Sequence, residues 1–335
     1  MLDDRKAAIL RAVVKEYIDT AQPVGSAHVA RIGALNVSPA TVRNEMAQLE
    51  REGFLAHPHT SAGRIPTDKG YRFFVDDLRG EPDTLGPGEK AQVQEFFARA
   101  HGELERMLQD TSKLLSNLTT YAALVVAPSH EGANVRSVQI VALGPRVAVA
   151  VAVLANGAVE KATLELEEDT PDERIAIASA YLAAHVVGRP LADESAIPPT
   201  GDLALDNLVA SARQALWDHH DSESDQVFVG GAARMASTFE AVDSVRQVLA
   251  SLEQQYVLVS LLREALGEEG LTVAIGAEHG VDSLAECSIV VAPYEVEGSH
   301  VGTIGVLGPT RMNYPQAMAE VSIVSARLGR HLREG

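Results

Sequence analysis

Apolar positions recur every three or four residues through the first fifty residues, and the period changes twice further along. Ile9, Val13 and Tyr17 form one i, i+4 ladder and Leu10, Val14 and Ile18 another, which predicts an amphipathic helix capped by Asp3 or Asp4. A second short helix fits after Ser26, with Val29 and Ile32 inward and an end near Gly33. The third is the best specified. Ser38 is a good N-cap, Pro39 suits the first helical position, where its missing N–H costs nothing, and Gly53 supplies a stop. Val42, Met46 and Leu49 share one face, so Ala40, Asn44, Gln48 and Arg51 point away while Thr41 and Arg43 flank the edges. Phe54–Tyr71 then sets Pro58, Gly63 and Pro66 around a possible two-stranded ribbon tipped by His57, His59, Thr60, Ser61 and Arg64.

Beyond this region the pattern loosens and then becomes strand-like. Arg79–Glu89 is rich in Pro and Gly and reads as a linker. Val93, Phe97, Ala100, Leu104, Met107, Thr111, Leu114 and Leu118 alternate spacings of four and three. They predict a long helix over 90–119 with a heptad-like seam that Ala100, Gly102 and Thr111 weaken. Such a seam lies along its own domain or pairs with a second subunit. From Ala122, the runs AALVVAP, VRSVQIVALG, RVAVAVAVLA and AVEKATLEL predict strands. After Glu168 a helical period returns on Ile175, Ala178, Tyr181, Leu182, His185 and Val186. It persists to about Leu266, broken by RPLADESAIPPTGD and by the strand-like VFVGG at Val227–Gly231. LTVAIG, CSIVVAPY and HVGTIGVLG resume the strands, and a last helix fits Ala317–Leu332 with Val321, Val324 and Leu328 inward. A sheet interrupted by a helical block suggests an inserted subdomain.

The three N-terminal helices have the layout of a helix-turn-helix, and the ribbon would be its wing. A short helix showing small, amide and guanidinium groups outward has the chemistry to read a DNA major groove. Ser38 and Thr41 would meet phosphate or bases near its N-terminus. Arg43, suited to guanine, and Asn44, suited to adenine, are the best base readers, with Gln48 beyond them on the same face. His59, Thr60, Ser61 and Arg64 would hold backbone or minor groove from the wing. The same winged module could instead serve protein contacts alone.

Charge changes this picture through its distribution. The chain of 335 residues carries a net −18, yet residues 1–80 hold 11 Lys/Arg against 10 Asp/Glu, so the acidic excess sits almost wholly beyond the candidate reader. An acidic body repels DNA everywhere except where the reader docks, and few phosphate contacts per subunit favour a dimer that doubles them. At 46% apolar and 22% charged, the composition is that of ordinary folded domains, two or three in number. The single cysteine, Cys287 in CSIVVAP, excludes a disulfide framework or a cysteine-based zinc cluster within one chain and reads as a buried core thiol. No run approaches the length of a membrane helix, and Asp3 and Asp4 stand where a signal peptide wants basic residues. The expectation is a cytoplasmic protein without a membrane partner.

Three stretches resemble the heat-inducible transcription repressors called HrcA: ATVRNEMAQLEREGFL (Ala40–Leu55), HPHTSAGRIPT (His57–Thr67) and GYRFFVD (Gly70–Asp76). GTIGVLGPTRMNY (Gly302–Tyr314) is a fourth, whereas roughly 170–250 matches only in general character. The resemblance implies an α+β multidomain fold: a winged helix-turn-helix DNA-binding domain over 1–78 and a linker over 79–89. A GAF-like α+β domain would then take 90–169 and 251–335, including the long helix 90–119, with a mostly helical dimerisation domain inserted at 170–250. It further implies a homodimer on double-stranded DNA, at the CIRCE inverted-repeat operator of class I heat-shock and chaperone operons. The GroE chaperonin would keep it active until heat diverts the chaperonin, and the protein would be nucleoid-associated when DNA-bound.

Catalytic chemistry is hard to find. Gly302, Gly305 and Gly308 lack both nucleotide-binding spacings and read as close-packing glycines. VGGAAR (Val229–Arg234) is equally weak, and Arg311 and Tyr314 match the family pattern without a chemical role. His219, His220 and Asp221 diverge if helical and so make a poor metal site, and His57 with His59 suits phosphate better than metal. We expect no catalytic residue, no metal and no cofactor. The alternative is a one-component regulator whose GAF-like domain binds a small effector.

Overall fold

In a computed structural model the fold is described for residues 2–32, 37–58, 63–78, 85–99, 104–128, 133–155, 158–166, 168–191, 193, 195–223, 226–236, 239, 242–266, 270–296 and 299–334. The N-terminal module consists of α1 (Asp4–Thr20), α2 (Ser26–Ile32), α3 (Pro39–Arg51), a ribbon of β1 (Leu55–Ala56) and β2 (Ile65–Pro66), and α4 (Asp68–Asp77). Side-chain caps start three of the helices. Asp3 accepts from the Lys6 N–H at 2.9 Å, Ser38 from Thr41 at 3.1 Å and Thr67 from Gly70 at 3.2 Å. Each cap satisfies an orphan donor and is worth about 1 kcal/mol.

Ile9, Leu10, Val13 and Val14 of α1 meet Val29 of α2 and Val42, Met46 and Leu49 of α3 in a fully buried core. Ile32, expected inward, is 50% exposed. At seven residues, α2 is too short to bury a second apolar position, and Val29 alone does that task. The ribbon pairs Leu55 with Pro66 and Ala56 with Ile65. Its stem continues onto the α1–α2 connection, where Val24 and Arg64 exchange backbone hydrogen bonds of 2.8 and 2.9 Å. Gly63 is required there, because a Cβ would overlap the Val24 carbonyl.

The body opens with α5 (Pro87–Arg99) and α6 (Leu104–Thr119). The single helix expected over 90–119 is thus two described helices, with 100–103 outside the described residues. The elements after them are β3 (Ala122–Val126), β4 (Val135–Gly144), β5 (Val147–Leu154), β6 (Val159–Glu165), α7 (Asp172–Val186), α8 (Leu203–Glu223) and β7 (Val227–Gly230). The chain then continues through α9 (Ala232–Ala236), α10 (Val242–Leu252), α11 (Gln255–Ala265), β8 (Thr272–Ile275), β9 (Cys287–Val296), β10 (Ser299–Pro309) and α12 (Tyr314–Glu334). Every expected strand run is a strand.

The strands fall into two sheets where one was expected. Five form an antiparallel sheet in the order β7-β3-β10-β9-β8, and β4-β5-β6 form a separate meander. Ile140, Ala148, Ala150, Ala152 and Leu164 on the inner face of that meander pack on Ile175, Ala178 and Leu182 of α7 and on Leu205, Val209 and Leu216 of α8. The unit inserted between β3 and β7 therefore includes β4–β6 and starts well before 170. Val248 and Leu252 of α10 bury with the main sheet instead. Burial explains the division. β3 and β9 are apolar at successive positions because both faces are covered, whereas β6 alternates strictly because only one is.

α6 packs inside its own chain, with Leu108, Thr111, Leu114 and Leu115 buried. Its covered face is broader than a coiled-coil seam, which decides between the two expectations in favour of packing along its own domain. α12 lies over β9 with Val321, Val324 and Leu328 buried.

Candidate nucleic-acid interface

Burying Val42, Met46 and Leu49 fixes the rotation of α3 about its axis, so its outward residues follow from geometry. Ser38, Arg43 and Asn44 are exposed, and Thr41 is half-buried at the edge. The Ser38 and Thr41 hydroxyls lie 3.0 Å apart. Among the described residues, the Arg43 and Asn44 side chains have no partner, so both present their full donor sets outward.

The acids of α3 and of its C-cap, Glu52, are arranged differently. Glu45 faces Arg5 at 3.7 Å, Glu50 takes the Arg64 Nε–H at 2.8 Å, and Glu52 meets Lys6 at 3.1 Å. The Lys6 hydrogen bond holds the Glu52 carboxyl below the ordinary carboxylate range, with Gln48 also bonded to it. Lys69 stands 4.3 Å from the centre of the Phe54 ring and donates to the Glu52 carbonyl at 2.8 Å. Each carboxylate on α3 therefore has a cation beside it, leaving Arg43 and Arg51 to set the field of the outer face.

Two of the expected DNA-contact residues have partners within the module. Arg64 pairs with Glu50, tying the β1–β2 ribbon stem to the end of α3, and Gln48 is half-buried against Glu52. Both contacts join α3 to its surroundings within the module. His59, Thr60 and Ser61 lie outside the described residues. Sequence reasoning missed the Glu50–Arg64 pair, although an acid on the last turn of α3 facing a basic ribbon was a usable signal.

Among the described residues no group of three or more His, Cys, Asp or Glu could hold a metal ion, and no helix is long and apolar enough to cross a membrane. Cys287 is buried in β9, and burial pushes its thiol up to about 12.

The HrcA protein C terminal domain family matches residues 105–318. The heat-inducible transcription repressor HrcA of Desulforudis audaxviator is 38% identical over 341 residues, covering 99% of this chain and 98% of its own. That of Kineococcus radiotolerans is 40% identical and covers all of both chains. The chain belongs to the HrcA family. Its HrcA-family fold also appears in a 2.2 Å crystal structure of a hypothetical protein, with a TM-score of 0.70 over 100% of this chain and 99% of that one. At 24% identity, that likeness concerns the fold alone.

Proposed function

We propose that this HrcA-family chain is a dimeric repressor that reads a CIRCE-type inverted repeat upstream of class I heat-shock and chaperone operons. The observation that carries the reading is the outer face of α3. Arg43 and Asn44 are exposed on it without partners among the described residues, while the carboxylates of the same helix are neutralised from behind. Each subunit lays α3 in one major groove, with the wing against the backbone. The N-terminal module acts as the winged DNA-binding domain, 79–89 as the linker and the five-stranded unit as the GAF-like domain. The protein works in the cytoplasm, on the nucleoid when bound, and carries out no catalysis.

A dimer is supported by the outer face of the β4–β6 meander. Val141, Leu143, Val147 and Val159 are 47%, 66%, 37% and 49% exposed, with Val149, Val151 and Val153 between them on the same face. The valines form an apolar strip along β4 and β5, edged by exposed Lys161, Thr163 and Glu165 of β6, and such a strip fits an interaction surface. A second copy satisfies it and supplies the two-fold axis that an inverted repeat requires.

Heat inactivation with GroE-assisted recovery requires a body of modest stability. Thr111, Ser116 and Glu320 each bury a polar atom without a hydrogen-bond partner among the described residues. Such groups typically cost about 1–3 kcal/mol each, which supports a low margin in the α6 and α12 layer.

Replacing Asn44 with alanine should cost about 1–3 kcal/mol at the cognate site and relax sequence preference, as should Arg43→Ala. Fluorescence anisotropy on cognate and scrambled duplexes checks this. Equal losses on both would remove these residues from the reading role.

A further inference from the structure

We infer that Arg72 and Glu278 form a positioning clasp that locks the DNA-reading module to the body at one angle, fixing the half-site spacing the dimer accepts. The inference rests on the repressor reading above.

Arg72 stands in the middle of α4, the last element of the N-terminal module, and β8 is an edge strand of the main sheet. The Arg72 Nη2–H donates to the Val273 carbonyl of β8 at 2.7 Å, and its Nε–H to Glu278 Oε1 at 2.9 Å. Nη2 also meets Glu278 Oε2, and that oxygen accepts the Ile275 N–H at 2.9 Å. Arg72 and Glu278 thereby satisfy backbone groups at both Val273 and Ile275, closing part of an edge that would otherwise be open. A planar guanidinium held bidentate by a carboxylate tolerates little rotation, so the pair constrains angle as well as distance. Burial works against ionising Glu278. Hydrogen bonds from Arg72 and the Ile275 N–H outweigh it and keep the carboxyl below its ordinary range.

Two neighbouring contacts stiffen the joint. The Asp68 carboxylate occupies the space where a Cβ on Gly276 would stand, and Gly276 has φ +54. Tyr71 is buried with its ring 5.9 Å from that of Tyr314, whose hydroxyl bonds Ser288 Oγ at 2.8 Å and the Thr310 carbonyl at 2.5 Å. The apolar core runs without a break from Leu10 and Met46 through Phe74 and Val75 to Val93, Phe97 and Tyr314. The reader is therefore part of the body rather than a bead on a tether.

The consequence concerns spacing. Adding base pairs between half-sites both translates and rotates one relative to the other, so two rigidly held readers fit one spacing whereas two loosely held readers accept several. The test uses the full chain and CIRCE-type duplexes with the natural spacer, spacers changed by one or two base pairs, a single half-site and a scrambled sequence. Wild type should lose about tenfold or more on each altered spacer. Glu278→Gln, which keeps shape and loses charge, and Arg72→Ala should bind all spacers within about threefold while matching wild type on the single half-site. Loss on the half-site as well would mean general damage to the reader and overturn the positioning role. A wild-type spacer profile in variants folded by circular dichroism would overturn the clasp alone, and so would a wild type that tolerates every spacer. Absence of any wild-type preference for the inverted repeat over the scrambled duplex would overturn the repressor reading and the clasp together.

Discussion

A chain carrying Val149→Asp should run as a monomer and lose at least about a hundredfold of its affinity for the inverted-repeat duplex. Val149 sits on the central strand of the β4–β6 meander, paired across the sheet with Val141 on one side and Thr163 on the other. Its side chain lies half-buried on the outer face, so an aspartate there keeps much of its water in a single chain and disturbs the fold little. In a two-fold dimer built on that face, two carboxylates would be desolvated near the axis, at a cost that the exposed Lys161 of β6, opposite Val151 on the same face, offsets only in part. Losing the partner removes one of two sets of half-site contacts, and specific preferences of about a thousandfold or more depend on both. Sedimentation velocity reads the first effect and anisotropy the second. A Val149→Asp dimer with unchanged operator affinity would assign the interface elsewhere.

Glu320→Gln should stabilise the chain at pH 8 and leave it nearly unchanged near pH 5. Glu320 is fully buried on α12, its Oε1 accepting from Gln316 Nε2 at 2.9 Å and its Oε2 without a partner among the described residues. Burial pushes the carboxyl up to about 7 from an ordinary 4.5, against the Gln316 hydrogen bond and helped by nearby Glu89. A carboxyl raised on folding contributes stability that is fully present below 4.5 and lost as the pH rises through about 7. Above that, the fold carries a buried charge costing roughly 3 kcal/mol relative to the protonated form. The glutamine keeps the acceptor for Gln316 and removes the titration, so the melting temperature should rise by several degrees at pH 8 only. The same gain at both pH values would mean the side chain acts through packing, and no gain at pH 8 would refute the buried-charge account. If heat lability is part of the repressor's switch, this variant should also keep its operator affinity to a higher temperature.

Local signals were legible, and pairings between distant residues were not. Ser38, Pro39, Gly53 and the Val42/Met46/Leu49 stripe specify α3 within one residue of its ends, because caps and periodicity act inside a single turn. Ile32 failed because periodicity assumes a helix long enough to present a second inward position. The strand runs were correct as strands, yet their sorting into two sheets depends on pairings far apart in sequence. One clue was present. Strict alternation over Val159–Glu165 contrasts with unbroken apolar character over Ala122–Val126, the difference between a sheet covered once and a sheet covered twice. On α3, outward placement of Arg43 and Asn44 followed from the buried stripe. Residue type alone, by contrast, did not show that Arg64 pairs with Glu50, and no local pattern could join Arg72 to a glutamate 206 positions away.

The central claim is that α3 reads a specific inverted repeat. It is tested most directly by anisotropy titrations of the unmodified chain at physiological salt, against a CIRCE-type duplex and a scrambled duplex of equal length. The account predicts a preference of about a thousandfold for the inverted repeat. Equal, weak binding to both by a folded preparation would contradict it.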